Sequence, residues 1–277
     1  MGKLRQILKT GEEKLSKAGC ESPAFDAMCL FEKAFGMDRQ AVILYGDQPA
    51  DERGTAVFIG DIARRASKTP LQYILGRWPF GDLELLVGEG VLIPREDTLV
   101  LCNTALEYID GTCAVADLCA GTGAVGLTLS AHSGCRVDCF EGEKDAYSYL
   151  EKNIAQYPFP VRAVYMDIVK QTSEQRYDMM VANPPYIKTA ALGGLADEVK
   201  KEPSIALDGG ADGLLFYRSI TKNWLPCLKK GKALAVEIGH DQGEEVSEIF
   251  AQAGLENVRT VCDLAGLDRV VVGVKNK

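Results

Sequence analysis

A chain of 277 residues, 47% hydrophobic and 25% charged, is long enough to bury one large core or two moderate ones. Its 31 Lys and Arg against 39 Asp and Glu leave a net charge of −8, which argues against a sequence-blind grip on nucleic acid, because that grip depends on counterion release by basic side chains. Nine cysteines without a CxxC pair, and only two histidines, His132 and His240, argue against a disulfide framework, a zinc ribbon and metal catalysis.

The first residues, MGKLRQILKTGEEKLSKAG, are too polar for a signal peptide, and no apolar run approaches the ~20 residues of a membrane span. A reduced, cytoplasmic protein without membrane contact is expected. Residues 1–77 read as a small helical bundle. Leu4, Ile7, Leu8 and Leu15 recur at helical spacing, as do Phe25, Met28, Cys29, Leu30 and Phe31 after a Ser22-Pro23 start signal. A third helix over 51–66 is expected to bury Ala56, Ile59, Ile62 and Ala63. Arg64, Arg65 and Lys68, like Lys229, Lys230 and Lys232 further on, read as solvated basic clusters. Residues 78–94, WPFGDLELLVGEGVLIP, hold short apolar runs around a Val87–Gly90 turn, the pattern of a β-hairpin connector.

From residue 95 to 277 apolar runs alternate with helical patterns. Strands are expected at 114–118, 136–141, 161–167, 177–182, 233–238, 258–262 and 269–273. This is the alternation of a doubly wound, Rossmann-like α/β domain of seven strands. Only Asp263 to Asp268 separate the last two strands, too few residues for a helical crossover, so that pair should be antiparallel.

The stretch VADLCAGTGAVGLTL follows the first strand of this domain and opens a helix. Gly121, Gly123 and Gly126 satisfy G-x-G-x-x-G, and Glu141 comes twenty residues after Gly121, as in dinucleotide sites. Asp117, four positions before Gly121, would set a carboxylate near a dianionic diphosphate. A cationic, phosphate-free cofactor suits the loop better, and S-adenosylmethionine carries an ammonium and a sulfonium. On this reading Asp117 faces the amino-acid end, and Cys119, Ala120, Gly121, Thr122 and Gly123 approach the cofactor closely. Glu141 accepts the ribose hydroxyls, Asp167 accepts from the adenine amino group and Ile168 packs on the ring. A helix N-cap is the competing role for Asp167.

The stretch DMMVANPPYIKT places Asn183, Pro184, Pro185 and Tyr186 at the end of a strand that lies beside the first in a doubly wound order. Asn183 would then adjoin the cofactor's methyl group. An amide or exocyclic amine nitrogen is a poor nucleophile because its lone pair is delocalised, and its hydrogens become more acidic as it attacks. Acceptor oxygens aimed at those hydrogens stabilise the transition state more than the ground state. The Asn183 side-chain carbonyl and the Pro184 main-chain carbonyl are two such acceptors, Pro185 stiffens the turn, and Tyr186 offers a flat face to a planar substrate.

These residues resemble the protein-(glutamine-N5) methyltransferases of the HemK/PrmC family. TPLQYILGRWPFGDLELLV at 69–87, VLIPREDT at 91–98, NPPYI, EPSIALDGGADGLLFYRSI at 202–220, VEIGHDQGEEV and DLAGLDRVVVG continue the likeness to the C-terminus. The resemblance implies a helical substrate-docking domain before the methyltransferase domain. It also implies S-adenosyl-L-methionine as donor, S-adenosyl-L-homocysteine as product, and a protein substrate: the glutamine of the Gly-Gly-Gln motif in peptide chain release factors, with no direct nucleic-acid binding. Its motif residues fall on Asn183, Pro184, Pro185 and Tyr186, with cofactor contacts at Gly121, Gly123, Glu141 and Asp167. Cys119 stands where the family usually has glycine, Glu141 where it has aspartate, and Leu99 where it has an acid. Two other readings compete. A methyltransferase acting on a nucleobase amino group of RNA or DNA uses related turns, but the acidic balance counts against it. A non-catalytic cofactor-binding module would have no need of Asn183.

Overall fold

Aspartate caps and glycine stops divide the N-terminal sequence into helices. The structure, a computed structural model that describes residues 2–276, places α1 at Leu4–Lys17, α2 at Pro23–Phe35, α3 at Arg39–Tyr45, α4 at Glu52–Ala66 and α5 at Leu71–Leu75. Asp38 and Asp51 accept N–H bonds from Ala41 and Gly54, both at 2.7 Å, and so satisfy free donors at the starts of α3 and α4. Gly36, at φ +64°, ends α2 in the left-handed conformation that glycine adopts without penalty. Residues Met1–Arg77 and Ala196–Lys201 form one compact unit. Its interior holds Leu15, Leu30, Phe31, Phe58 and Ile62, with Phe31 and Phe58 edge-on at 5.5 Å between ring centres.

Helix α4 buries Ile62 as expected but not the other three residues of that face. Phe58, Ile62, Asp61 and Arg65 turn inward, whereas Ala56, Ile59 and Ala63 are exposed. An aromatic that fills the bundle outweighs smaller apolar residues spaced as well as it is. Arg65, expected on a solvated face, is 4% exposed. Its Nε donates to Asp26 and its Nη2 to Glu198, each at 2.7 Å, the pairing a buried guanidinium requires. Lys229 and Lys232 also have partners, both on Asp178, at 2.8 and 3.5 Å.

The second unit comprises Trp78–Leu195 and Glu202–Lys277. Strands β1 (Arg77–Phe80) and β2 (Leu83–Leu86) form a two-stranded sheet. The hairpin turn is Gly81-Asp82, not Val87–Gly90, because Gly81 at φ +54° supplies the tight reversal. Val87, Val91 and Ile93 are buried beyond it without forming a strand.

The remaining elements are α6 (Leu99–Leu106), β3 (Ala114–Leu118), α7 (Ala124–Ser133), β4 (Arg136–Glu141), α8 (Lys144–Ile154), β5 (Val161–Tyr165), β6 (Tyr177–Ala182), α9 (Leu215–Ser219), β7 (Leu228–Glu237), α10 (Gly243–Gln252), β8 (Leu255–Cys262) and β9 (Asp268–Lys275). Among the described residues the large sheet has seven strands, in the order β5-β4-β3-β6-β7-β9-β8. Strand β9 runs antiparallel to both β7 and β8, as the short final connection requires. Strand β5 stops at Tyr165, two residues short of expectation, because Asp167 closes a turn on Val169. Strands β7 and β8 begin earlier than expected, at Leu228 and Leu255.

Alternation along β6 serves two cores. Met179 joins Leu101, Val115, Leu127 and Val137 in one, and Met180 joins Leu118, Phe140, Trp224 and Phe250 in the other. A sheet covered on both faces exposes its strand tips, and the order reverses between β3 and β6. Crevices at such a reversal are where ligands bind in open α/β sheets. Among the described residues no helix is long and apolar enough to cross a membrane.

Candidate active site

The strand tips around that reversal enclose a cavity of about 330 Å³. Cys119, Ala120, Gly121 and Thr122 from the loop after β3 form part of its wall, with Glu141 from β4. Asp167 and Ile168 follow β5 onto the same wall, and Asn183 and Pro185 follow β6. Gly121 sits at φ +55°, and a Cβ added there would meet no protein atom within 4 Å. The other two glycines of the motif have a packing role instead. A Cβ at Gly123 would fall 2.7 Å from Leu150 Cδ1, and one at Gly126 would fall 2.4 Å from Cys139 Sγ. Cys119 has φ +66°, the conformation that favours the family's glycine. Burial pushes its thiol well above the ordinary range, so it stays neutral beside the acids.

The three acids read from the sequence occupy different surroundings. The Glu141 carboxylate accepts N–H bonds from Gly121 at 2.9 Å and Glu143 at 2.8 Å. A carboxylate has about four acceptor positions, so capacity remains for hydroxyl groups of a ligand. Burial raises its pKa, against the pull of those backbone donors. Asp167 accepts from Val169 N–H at 3.0 Å and pairs with Lys170 at 2.7 Å, and this pairing holds its carboxyl below the usual range. It therefore forms a turn cap while standing on the wall. Asp117 is off the wall. It is 1% exposed, accepts from Gly126 N–H at 2.9 Å, and burial lifts its pKa to about 7. It ties the β3 tip to the start of α7.

Asn183 donates from Nδ2 to Thr98 Oγ1 at 3.1 Å, and both residues stand on the wall. Pro184 is buried off the wall. Tyr186 is also off it; its main-chain oxygen accepts from Gln242 Nε2 at 3.1 Å, and burial pushes its phenol up to about 12. Thr98, Phe140, Pro203, Ile205 and Phe216 complete much of the wall and were not read as site residues. Thr98, Pro203, Ile205 and Phe216 lie in the stretches that resemble the family, and that continuity was the only signal for them.

The charged wall residues are Glu141, Glu143, Asp167 and Lys170, an excess of two negative charges among apolar neighbours. Such a wall suits a cationic ligand with an apolar ring and repels a diphosphate.

Residues 6–76 match the PrmC N-terminal domain family and residues 98–203 the methyltransferase small domain family. A release factor glutamine methyltransferase of Clostridium botulinum is 36% identical over 276 residues, 97% of this chain and 98% of that one. Its counterpart in Geobacter sulfurreducens is 36% identical over 272 residues, 98% and 96% of the two chains. The chain belongs to the release factor glutamine methyltransferase family. Solved structures share the fold at low identity. The hMettl16 catalytic domain aligns with TM-score 0.58 and 17% identity over 78% of this chain and 82% of its own. A methyltransferase from Pyrococcus furiosus aligns with TM-score 0.56 and 15% identity over 71% and 91%. As a member of the family the chain is a methyltransferase with S-adenosylmethionine as its donor, and the acidic, phosphate-averse wall fits that donor.

Proposed function

We infer that this protein methylates the side-chain amide nitrogen of a glutamine in a peptide chain release factor, the Gly-Gly-Gln glutamine being the expected acceptor. The full-length likeness to release factor glutamine methyltransferases supports the substrate. The observation that carries the chemistry is Asn183 on the cavity wall with its Nδ2 engaged by Thr98, which leaves Oδ1 as an acceptor. A solved 16S rRNA methyltransferase from T. Thermophilus, 18% identical, shares only the fold, so the nucleobase reading gains nothing from it.

S-adenosylmethionine, when bound, supplies a sulfonium-borne methyl group as electrophile. Gly121 admits it closely, and Glu141, Asp167 and Ile168 would hold its nucleoside. Asn183 Oδ1 and the Pro184 carbonyl would accept the two amide hydrogens, turning the nitrogen lone pair toward the methyl carbon, while Tyr186 packs on the planar amide. Those oxygens would stabilise the positive charge that grows on the amide nitrogen as its N–C bond forms and the S–C bond breaks, the sulfur leaving as the neutral thioether of S-adenosylhomocysteine, and the methylated nitrogen would then release one proton to water. Positioning and electrostatics supply most of the acceleration. The helical unit would dock the substrate through exposed Ile43, Leu44 and Tyr45 of α3. A translation-factor substrate places the reaction in the cytoplasm.

Mass spectrometry of a release factor after incubation with donor tests the reading. One added methyl on the Gly-Gly-Gln glutamine is expected, with Asn183→Ala slower by roughly 10²-fold, as for loss of one preorganised hydrogen-bonding group. An unmodified glutamine under wild-type enzyme refutes the assignment.

A further inference from the structure

We propose that Glu237 is a positioning residue which, through the Thr98 hydroxyl, sets which end of the Asn183 amide faces the substrate. The inference rests on the amide-methylation reading above. Strands β6 and β7 are parallel with Ala182 opposite Val236, so Asn183 and Glu237 come next at adjoining strand tips. Glu237 is 2% exposed and Thr98 3%. The Thr98 and Asn183 side chains both adjoin the carboxylate and favour its ionised form, and its Oε2 is buried without a hydrogen-bond partner. Thr98 and Asn183 stand on the cavity wall, whereas Glu237 does not. Glu237 therefore acts behind the residues that meet the substrate.

An amide fits the same space in either orientation, and only its neighbours decide between them. A threonine hydroxyl has one proton to give, and an ionised carboxylate can only accept. With Glu237 ionised, the Thr98 proton turns to the carboxylate and its lone pair receives Asn183 Nδ2–H. Asn183 Oδ1 is then left for the substrate's N–H. With Glu237 protonated, the relay can reverse: the carboxylic acid donates to Thr98, Thr98 donates to Asn183 Oδ1, and an NH₂ group confronts the substrate's own NH₂. Acceptance by Asn183 thus requires the negative charge behind it.

A purely structural role for Glu237 would be to balance Arg269. The Nη2 of that cation already has partners in Asp263 at 3.0 Å and Asp97 at 3.4 Å, while its Nε is buried without one. The groups facing Glu237 are Arg269 of β9, Asp97 before α6, Tyr186 after β6, Tyr217 of α9 and Cys102 of α6. Arg269 favours the ionised form and Asp97 opposes it, while burial lifts the carboxyl to about 7, so the switch lies within reach of ordinary buffers.

Glu237→Gln and Thr98→Val test the relay with release factor as substrate, and S-adenosylhomocysteine calorimetry confirms that each variant is folded. The wild-type kcat should fall as pH drops below about 7. Glu237→Gln should lower kcat about 10²-fold with a flattened pH profile, unchanged KM for the donor and Kd for S-adenosylhomocysteine within twofold. Thr98→Val should lose a similar factor, and the double variant should be no slower than the slower single one. In ¹⁵N-Asn-labelled enzyme without donor, the Asn183 side-chain NH₂ resonances should titrate between pH 6 and 8 and cease to do so in Glu237→Gln. Wild-type kcat and pH profile in Glu237→Gln, multiplicative losses in the double variant, or an Asn183 signal indifferent to pH would each overturn the relay. If Glu237→Gln does not fold, Thr98→Val and the wild-type titration decide. Failure of the wild-type enzyme to methylate release factor overturns the functional reading instead, and the NMR titration still judges the relay.

Discussion

Gly121→Ala and Gly126→Ala make the same chemical change in one glycine motif and should separate in donor affinity. At Gly121 the alanine would sit at φ +55°, where an L-residue loses about 1–2 kcal/mol, but its methyl meets no protein atom within 4 Å. Folding should therefore weaken by only that amount, a shift of roughly 2–8 °C in melting temperature. The methyl enters space beside a wall residue of the cavity, so donor affinity should drop at least tenfold, about 1.4 kcal/mol. At Gly126 the added Cβ would fall 2.4 Å from Cys139 Sγ and 3.1 Å from Asp117 Oδ2, inside the packing between α7 and the sheet. Overpacking of this kind costs about 1–3 kcal/mol of stability. Any Gly126→Ala protein that stays folded should bind the donor nearly normally, since residue 126 is not on the wall. Calorimetric titration with S-adenosylhomocysteine, alongside urea unfolding of both variants, measures the two effects separately. Unchanged affinity in Gly121→Ala would place the donor elsewhere and refute the assignment of the cavity.

Replacing Arg65 with alanine strands Asp26 in the helical unit and frees Glu198; urea unfolding should show a loss of about 3–5 kcal/mol, and a loss under 1 kcal/mol would mean that the pairs stabilise nothing. Asp117 makes stability fall as pH rises. Its carboxyl is held at about 7 in the folded chain against 3.8 in the unfolded one, so the native state binds the extra proton between those values. Above pH 7 this costs about 4 kcal/mol, and urea unfolding of Asp117→Asn at pH 5 and pH 8 should show a smaller difference between the two pH values than the wild type does. Leu44→Glu, at an exposed position of α3, should raise KM for intact release factor several-fold and leave a short Gly-Gly-Gln peptide unaffected; equal KM on intact factor would remove the docking role from that surface.

The doubly wound sheet and the strand ends that line the cavity were legible because both follow from short-range rules. Apolar runs separated by helical patterns dictate a doubly wound sheet, and Gly121 and Asn183 stand at strand ends whatever the exact strand limits. Side-chain direction was harder to read. Asp117 looked like a cofactor ligand because it precedes the glycines, but the Gly126 N–H, nine residues on, holds it beneath the loop. Ile59 and Phe58 are neighbours in the helical pattern, and only the aromatic partners in the bundle choose between them. Thr98 and Glu237 could not be found by spacing at all. They lie 85 and 54 residues from Asn183, and only the register of the sheet and the start of α6 bring them to it.

Acids stand at or just beyond the tips of β3, β4, β5 and β7, namely Asp117, Glu141, Asp167 and Glu237, yet the tip of β6 carries a neutral amide. A carboxylate at position 183 would sit beside the buried Glu237, and like charges so placed push one carboxyl toward its protonated form. Protonation would turn the acceptor into a donor, the wrong polarity for an incoming NH₂ group. An amide does not itself titrate, so its oxygen stays an acceptor as long as its partner end is engaged. The Thr98 bond to Nδ2 meets that condition while Glu237 is ionised, so the amide at this strand tip follows from the acids around it as much as from the substrate it meets.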